Sequence, residues 1–161
     1  MKRSKKAANP LEGLEERPGF LIRRAHQISQ SVFIEECGGL DITATQFGVL
    51  WVLSRAGALD QIGIARLLGF DRSTTGLVVK LLEDRKLIVR APDPDDRRRY
   101  VLRLTKAGDD LRRRAEPRVN NVRKRLEAVF TPAERKSFAK LLDKFTRSFD
   151  ETTRVPLKRP T

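Results

Sequence analysis

Apolar residues recur at helical spacing in the first half of the chain. From Pro18 onward they form a seam at steps of four, three and four residues, and the pair Gly38-Gly39 ends this helix. A second helix is predicted to begin after Thr43, in a capping box with Gln46, and to end near Arg55. The seam residues are Leu21, Ala25, Ile28 and Val32 in the first helix, and Phe47, Leu50 and Leu53 in the second.

Two closely spaced helices follow. The pattern predicts a short helix over Gln61–Leu68, which Gly69 ends. Asp71 caps the next helix, which is predicted to run from about Arg72 to Lys86. Its predicted apolar face carries Leu77, Val78, Leu81 and Leu82, and its predicted outward positions are Arg72, Ser73, Thr75, Gly76, Val79 and Lys80, with Thr74 at the edge between the two faces.

The periodicity then changes from helical to strand-like. Residues 87–91 and 100–104 are apolar, strand-forming runs on either side of a polar turn at 92–99, and this order predicts a β-hairpin. Thr105 caps a long helix, and Thr131 opens a second capping box before the last helix. The seams of these two helices are Leu111, Ala115, Val119, Val122, Leu126 and Val129, and then Phe138, Leu141, Leu142, Phe145 and Phe149.

The order helix, turn, helix and hairpin is typical of a winged helix-turn-helix, so we predict a mainly α fold with about six helices. The helical seams outside this unit present more apolar surface than a small winged core can cover, which predicts a homodimer. The predicted organisation is a basic flexible arm at 1–17, dimerisation helices at 18–40 and 106–150, a DNA-binding domain at 41–105, and a flexible tail at 151–161.

Composition narrows the choice of partner. The chain has 34 Lys and Arg against 21 Asp and Glu, a net charge of +13, which favours nucleic acid. No apolar run approaches the length of a membrane span, and the basic start lacks the apolar stretch of a signal peptide, so no membrane partner is expected. Cys37 is the single cysteine, which excludes an intramolecular disulfide and predicts a cytoplasmic protein.

The helix after Asp71 and the tip of the hairpin carry the predicted contacts to double-stranded DNA. Small residues at the start of that helix allow close approach to base edges in the major groove, while its basic residues reach guanines or phosphates. A guanidinium on the narrow hairpin suits the minor groove, and Asp96 is placed to orient it by a bidentate pair. The predicted contacts are Arg72, Ser73, Thr74, Thr75, Lys80, Asp96, Arg97 and Arg98; which of Arg97, Arg98 and Arg99 enters the groove stays open.

Residues 87–108, LIVRAPDPDDRRRYVLRLTKAG, resemble the wing of the multiple-antibiotic-resistance regulator (MarR) family, through the run DPDDRR, Leu104-Thr105 and Gly108. The preceding GFDRSTTGLVVKLLEDRKLIVR resembles that family's recognition helix, and the likeness extends over about 18–150. It implies a dimer with intertwined first and last helices, and an inverted-repeat operator. Members of the family usually repress genes and release DNA when a small, often phenolic, molecule binds between the dimerisation and DNA-binding parts.

The stretch PGFLIRRAHQ at 18–27 resembles family members that control the breakdown of aromatic acids, some of which respond to the coenzyme A thioester of the acid. The resemblance suggests an aromatic acid or aromatic acyl-CoA, such as a hydroxycinnamoyl-CoA, as effector. The predicted ligand residues are Ile22, Phe33, Phe47 and Trp51 for an apolar slot, Arg23 and Arg24 for phosphates, and His26 as a hydrogen-bond donor. The alternatives are that His26 is a structural or surface histidine, that Trp51 is plain core, and that Arg23 and Arg24 face only solvent or DNA phosphates.

Other classes of function remain to be weighed. A thiol-based redox regulator acting through Cys37 is one alternative, although Glu35 and Glu36 disfavour a thiolate. A winged-helix protein that binds nucleic acid without any ligand is another. An enzyme is not expected, because a single His and a single Cys leave few nucleophile–base pairs and no phosphate-binding or metal-binding motif occurs. Neither a cofactor nor a metal is predicted.

Overall fold

The computed structural model describes residues 10–94, 96, 98–153 and 156–157, and within them the chain is mainly helical. Six α-helices and one antiparallel hairpin confirm the predicted fold class. None of the helices in these ranges is long and apolar enough to span a bilayer. The elements are α1 (Pro18–Cys37), α2 (Ala44–Ala56), α3 (Gln61–Leu68), α4 (Arg72–Asp84), β1 (Ile88–Pro92), β2 (Tyr100–Leu104), α5 (Lys106–Glu127), α6 (Pro132–Ser148) and a short 3-10 helix (Asp150–Thr152).

Side-chain caps fix where the helices begin. Thr43 and Gln46 form the predicted capping box, with both reciprocal hydrogen bonds at 3.1 Å. Asp71 and Thr105 accept hydrogen bonds from backbone amides in the first turns of α4 and α5, as predicted. Thr131 forms the second capping box with Glu134, and Pro132 occupies the first helical position of α6. These local signals explain why the helix starts were readable from the sequence.

The hairpin is anchored to the helical core on one side. β1 pairs with β2 in a register that places Ile88 opposite Leu104 and Pro92 opposite Tyr100. Leu59, just before α3, adds an isolated bridge to Leu102 through backbone hydrogen bonds of 3.2 and 2.7 Å. No pattern in the sequence predicts this bridge, since it depends on a single residue between two helices.

The buried core lies between the helix-turn-helix and the base of the wing. It includes Val49, Leu50, Leu53, Ile64, Val78, Val79, Leu82, Ile88, Leu102, Leu111 and Ala115. A second, smaller cluster of Phe33, Cys37 and Val122 joins α1 to α5. Arg125 supports the same junction by pairing with Glu35 and Glu36 across the two helices.

The predicted orientation of α4 is wrong by a partial rotation about its axis. Thr75 and Val79 were expected outside but are 0% and 1% exposed, whereas Leu77, expected inside, is 60% exposed. The buried positions are Thr75, Val78, Val79 and Leu82, which is itself a helical seam. A threonine fits in it because its hydroxyl donates to the carbonyl of Asp71, at 2.8 Å, and needs no water.

Two helices leave their apolar seams uncovered in the single chain. No residue of α6 is buried, although the sequence predicted burial of its phenylalanine and leucine seam. Apolar residues of α1 are likewise exposed, from Leu21 near its amino-terminal end to Ile34 near its carboxyl end. The exposed residues are Leu21, Ile22, Ile28, Ile34, Phe138, Leu141, Leu142, Phe145 and Phe149.

The two ends of the chain are partly described. Residues 1–9 of the predicted arm lie outside the described part, and residues 10–17 form hydrogen-bonded turns. In the predicted tail, the backbone N–H of Leu157 donates to the carboxylate of Asp150 at 3.1 and 3.2 Å. The Leu157 side chain contacts Gly69, in the turn between α3 and α4. This part of the tail therefore lies against the helix-turn-helix.

Candidate nucleic-acid interface

The start of α4 is organised by Asp71. Its carboxylate accepts from the backbone N–H of Thr74 at 2.7 Å and from the Thr74 hydroxyl at 3.1 Å. The hydroxyl of Thr75 is directed to the backbone of Asp71 inside the core. Both threonines therefore have structural partners, and the predicted outward position of Thr75 is wrong. Arg72 and Ser73, one and two residues after the cap, are exposed.

The exposed side of α4 adjoins a groove of about 480 Å³ shared with α3. Arg72 lines this groove together with Gln61, Ile62 and Arg66. The Gln61 amide lies next to Gly76 of α4, and a Cβ at Gly76 would stand 3.5 Å from its nitrogen, an ordinary contact distance. These residues of α3 were not among the predicted DNA contacts, although the burial of Ile64 and Ala65 leaves the other side of that helix for solvent or DNA.

Lys80 marks the far end of the exposed side of α4. Its ammonium group is paired with Asp84 at 2.7 Å, and this hydrogen bond raises the pKa of Lys80. The neighbouring Leu77 and Leu81 are exposed apolar residues. Apolar side chains in such positions suit contact with thymine methyl groups. The helix thus presents cationic, small and apolar groups together.

The two described arginines near the tip of the wing, Arg98 and Arg99, have different partners. The Arg98 side chain is 92% exposed, and its Nε donates to Asp96 at 3.3 Å. The same Asp96 oxygen accepts the backbone N–H of Arg98, so the contact between Asp96 and Arg98 uses one carboxylate oxygen and is not bidentate. Arg99 instead pairs with Asp60, the cap of α3, at 3.1 Å. Arg97 lies outside the described residues.

A second concave site, here called the ring pocket, lies between α2, α3 and α5. Its volume is about 310 Å³, within the range of small-molecule sites, and its walls are mostly apolar. Two of the predicted slot residues line it, Phe47 and Trp51, with ring centres 5.9 Å apart and planes tilted by 35°. The full lining is Phe47, Gly48, Trp51, Leu68, Glu116, Val119 and Asn120.

The predicted ligand residues of α1 are not part of the ring pocket lining. Ile22 and His26 are exposed, and Phe33 is buried against Cys37 and Val122. Arg23 and Arg24 are exposed, and each donates to the side-chain oxygen of Gln27 at 3.1 Å. The Arg23 guanidinium also lies 5.1 Å from the ring centre of Phe20. Within one chain, the structure does not bring these residues to Phe47 and Trp51.

Cys37 lies in the interior at the end of α1. Burial raises the pKa of its thiol, which opposes formation of the reactive thiolate. The opposing effect of Arg118 is smaller. In the ranges that the structure describes, no cluster of histidine, cysteine and acidic residues is arranged to hold a metal ion.

The helix-turn-helix, the exposed start of α4 and the arginine-bearing wing define a winged-helix transcriptional regulator. The sequence of residues 40–99 matches the model of the MarR family. One relative, from Thauera aromatica, is described as a putative transcriptional regulatory protein for the hcr operon. It is 32% identical to this chain, and the aligned part covers 83% of this chain and 81% of the relative's chain. The chain belongs to the MarR family.

Solved structures of regulators share this fold over most of the chain. Bordetella bronchiseptica BpsR, whose DNA binding is regulated by 6-hydroxynicotinic acid, is 31% identical, with a TM-score of 0.78 over 82% of this chain and 94% of its own. The transcriptional repressor CouR, bound to a 23-mer DNA duplex, is 28% identical, with a TM-score of 0.78 over 86% of this chain and 98% of its own.

Proposed function

We propose that the protein is a homodimeric repressor of genes for aromatic-acid catabolism, released from its operator by a small aromatic effector or its coenzyme A thioester. The observation that carries the proposal is the ring pocket, which is built on α2 and α5, between the helix-turn-helix and the long helix that leads to α6. A ligand there contacts elements on both sides of this junction. The regulation of BpsR by an aromatic acid supports the same class of effector.

The DNA-binding half of the proposal depends on charge and exposure. Arg72 on α4 and Arg98 on the wing are both exposed, on elements that suit the major and the minor groove. The net charge of +13 supplies the attraction to phosphate that sequence-specific contacts then refine. The binding of CouR to duplex DNA supports this assignment.

The dimer is supported by the uncovered seams of α1 and α6. Each carries several exposed leucine, isoleucine or phenylalanine side chains, which a second copy of the chain would remove from water. A two-fold dimer places two copies of α4 on one side, so that they read inverted half-sites about one helical turn apart.

Release follows if the effector prefers a different spacing of the two α4 helices. A ligand shifts such an equilibrium only by its difference in affinity for the two arrangements. The ring pocket includes Leu68 of α3 and Val119 of α5, so a ring bound between them changes the packing of the helix-turn-helix on α5. The operator contacts of both winged units then change together.

The experiment is operator binding measured by fluorescence anisotropy on the promoter DNA adjacent to the gene. Aromatic acids and their coenzyme A thioesters are added to the preformed complex, with aliphatic acids of similar size as controls. We expect an aromatic compound to release the DNA, and a Phe47→Ala variant to need more of it. If no compound acts but peroxide does, the redox alternative through Cys37 replaces the proposal. If neither acts, a ligand-independent winged-helix protein is the better description.

A further inference from the structure

A second cleft, here called the basic cleft, lies beside the ring pocket at the base of the wing. Its volume is about 650 Å³, and it is formed by the end of α2, the end of β2 and the amino-terminal part of α5. Its lining contains five cationic side chains and two carboxylates, which leaves three positive charges in excess. The cationic residues are Arg55, Arg103, Lys106, Arg112 and Arg113, and the carboxylates are Asp109 and Glu116.

The carboxylates are bound to only part of this set. Asp109 is bound to Arg112 and Arg113 at 3.0 and 2.6 Å, and Glu116 is bound to Arg112 at 2.8 Å. The hydrogen bond from Arg112 lowers the pKa of Asp109, so that this carboxylate stays ionised. Lys106 is paired at 3.0 Å with Asp110, which does not line the cleft. Arg55 and Arg103 have no carboxylate partner among the residues that the structure describes.

The basic cleft is joined to the ring pocket at two points. Glu116 lines both. Arg55, in the cleft, places its guanidinium 4.8 Å from the ring centre of Trp51, in the pocket. The two cavities therefore adjoin, and the region next to an aromatic end bound in the ring pocket is one that favours anions.

We infer that the basic cleft binds the phosphate groups of an effector whose aromatic ring lies in the ring pocket. Guanidinium and ammonium groups are the side chains that bind phosphate most strongly. The first turn of α5, at Thr105 and Lys106, also lines the cleft, and the amino terminus of this 22-residue helix adds to the positive potential. This inference rests on the proposed function and assigns the polar half of its binding site.

The assignment moves the phosphate site away from α1. Arg23 and Arg24 were the sequence-based candidates, but both donate to Gln27 and neither lines the ring pocket. Arg103 is better placed, because it shares the cleft with Arg55 and Lys106 and is in no ion pair with another described residue.

The test uses the full-length protein and its only tryptophan, Trp51, which reports on the ring pocket directly. Fluorescence titrations compare benzoate with benzoyl-CoA, and 4-hydroxycinnamate with its coenzyme A thioester, with coenzyme A alone as a probe of the cleft. The test variant is Arg103→Gln/Lys106→Gln. The matched control, Arg114→Gln/Lys124→Gln, removes the same charge from exposed positions of α5 that do not line the cleft.

We expect the wild type to bind the thioester more tightly than it binds the free acid. In the cleft variant the affinity for the thioester should fall about tenfold, as removal of charged hydrogen bonds predicts. Free-acid affinity should be unchanged in both variants, and the control should match the wild type. The inference would be overturned if the thioester bound no more tightly than its acid, or if the cleft variant kept the wild-type preference for the thioester. In either case, release of DNA by the acid would leave the proposed function standing. If neither acid nor thioester binds, both fail.

The basic cleft could also bind the phosphates of operator DNA. Operator binding measured without effector separates DNA phosphate from effector phosphate. The cleft variant should bind the operator as the control does. If its affinity falls well below that of the control, the cleft binds the DNA backbone and the effector assignment is wrong.

Discussion

At the scale of single residues, the side chains at the start of α4 differ sharply in what they touch. Thr75 is sealed in the core with its hydroxyl bonded to the carbonyl of Asp71, while Ser73 two positions earlier is exposed. Both are small and hydroxylated, so the sequence treats them alike. Their burial makes one a stability residue and the other a candidate for DNA contact.

Replacing Thr75 by Ala should therefore lower the free energy of unfolding by about 1–2 kcal/mol, through a lost buried methyl group and hydrogen bond. Operator affinity of the folded protein should not change. Ser73→Ala should leave stability within about 0.5 kcal/mol of the wild type, as expected for an exposed site, and weaken operator binding. Urea unfolding and anisotropy measure the two quantities. A stable Thr75→Ala protein with weak operator binding would contradict the burial of this side chain.

The Arg98 side chain at the tip of the wing is 92% exposed. We expect Arg98→Ala to weaken operator binding by about tenfold, as for loss of one guanidinium contact per subunit, with little change in stability because exposed ion pairs contribute little. Arg114→Ala is the matched control, since it removes the same charge from the exposed surface of α5. Equal affinities for the two variants at the same salt concentration would remove Arg98 from the interface.

At the scale of elements, the wing and α5 are fitted together with almost no spare room. Gly108, in the first turn of α5, is buried against the backbone where α4 leads into β1. Thr105 caps α5 and also donates to the carbonyl of Lys86 at 2.7 Å, so one residue ties the helix start to that junction. The position of the wing is thus set by the packing of its base.

A methyl group at position 108 should disrupt this fit. In Gly108→Ala the added Cβ would overlap the carbonyl group of Leu87, so we expect a loss of about 3 kcal/mol in the free energy of unfolding, as in severe overpacking. Gly19→Ala is the control: nothing lies within 4 Å of its Cβ, and alanine favours the helix. Chemical denaturation measures both, and a Gly108→Ala protein as stable as the wild type would show that the junction is looser than described.

At the scale of the whole molecule, the apolar surface is divided unequally. The winged unit buries its own core, whereas α6 buries none of its seam. A regulator built this way is expected to be stable only as an assembly, with its stability dependent on concentration.

A charge in the α6 seam should break that assembly. Leu141→Glu is expected to raise the dimer dissociation constant by at least about tenfold, because a buried unpaired carboxylate is costly. Lys140→Glu, one position away and off the seam, serves as the control. Sedimentation equilibrium decides between the outcomes, and a Leu141→Glu protein that dimerises like the control would place the subunit contact elsewhere.

Much of this protein was determined by the sequence alone. Helix starts depend on a cap and the next three residues, and hairpins on strand-like runs around a turn, so Thr43, Asp71, Thr105, Thr131 and the wing could be read locally. The family resemblance depends on the same local motifs, and the family comparisons confirm it.

Tertiary structure alone decided which side of α4 is buried, where Arg99 is bound, and which charges share a cleft. Two overlapping seams in α4 satisfy helical periodicity, and only packing against α2, α3 and β1 selects the one that includes Thr75. The pairing of Arg99 with Asp60 and the grouping of Arg55 with Arg103 join residues about forty or more positions apart. Contacts of that separation leave no periodic trace in the sequence, because they depend on how finished elements meet.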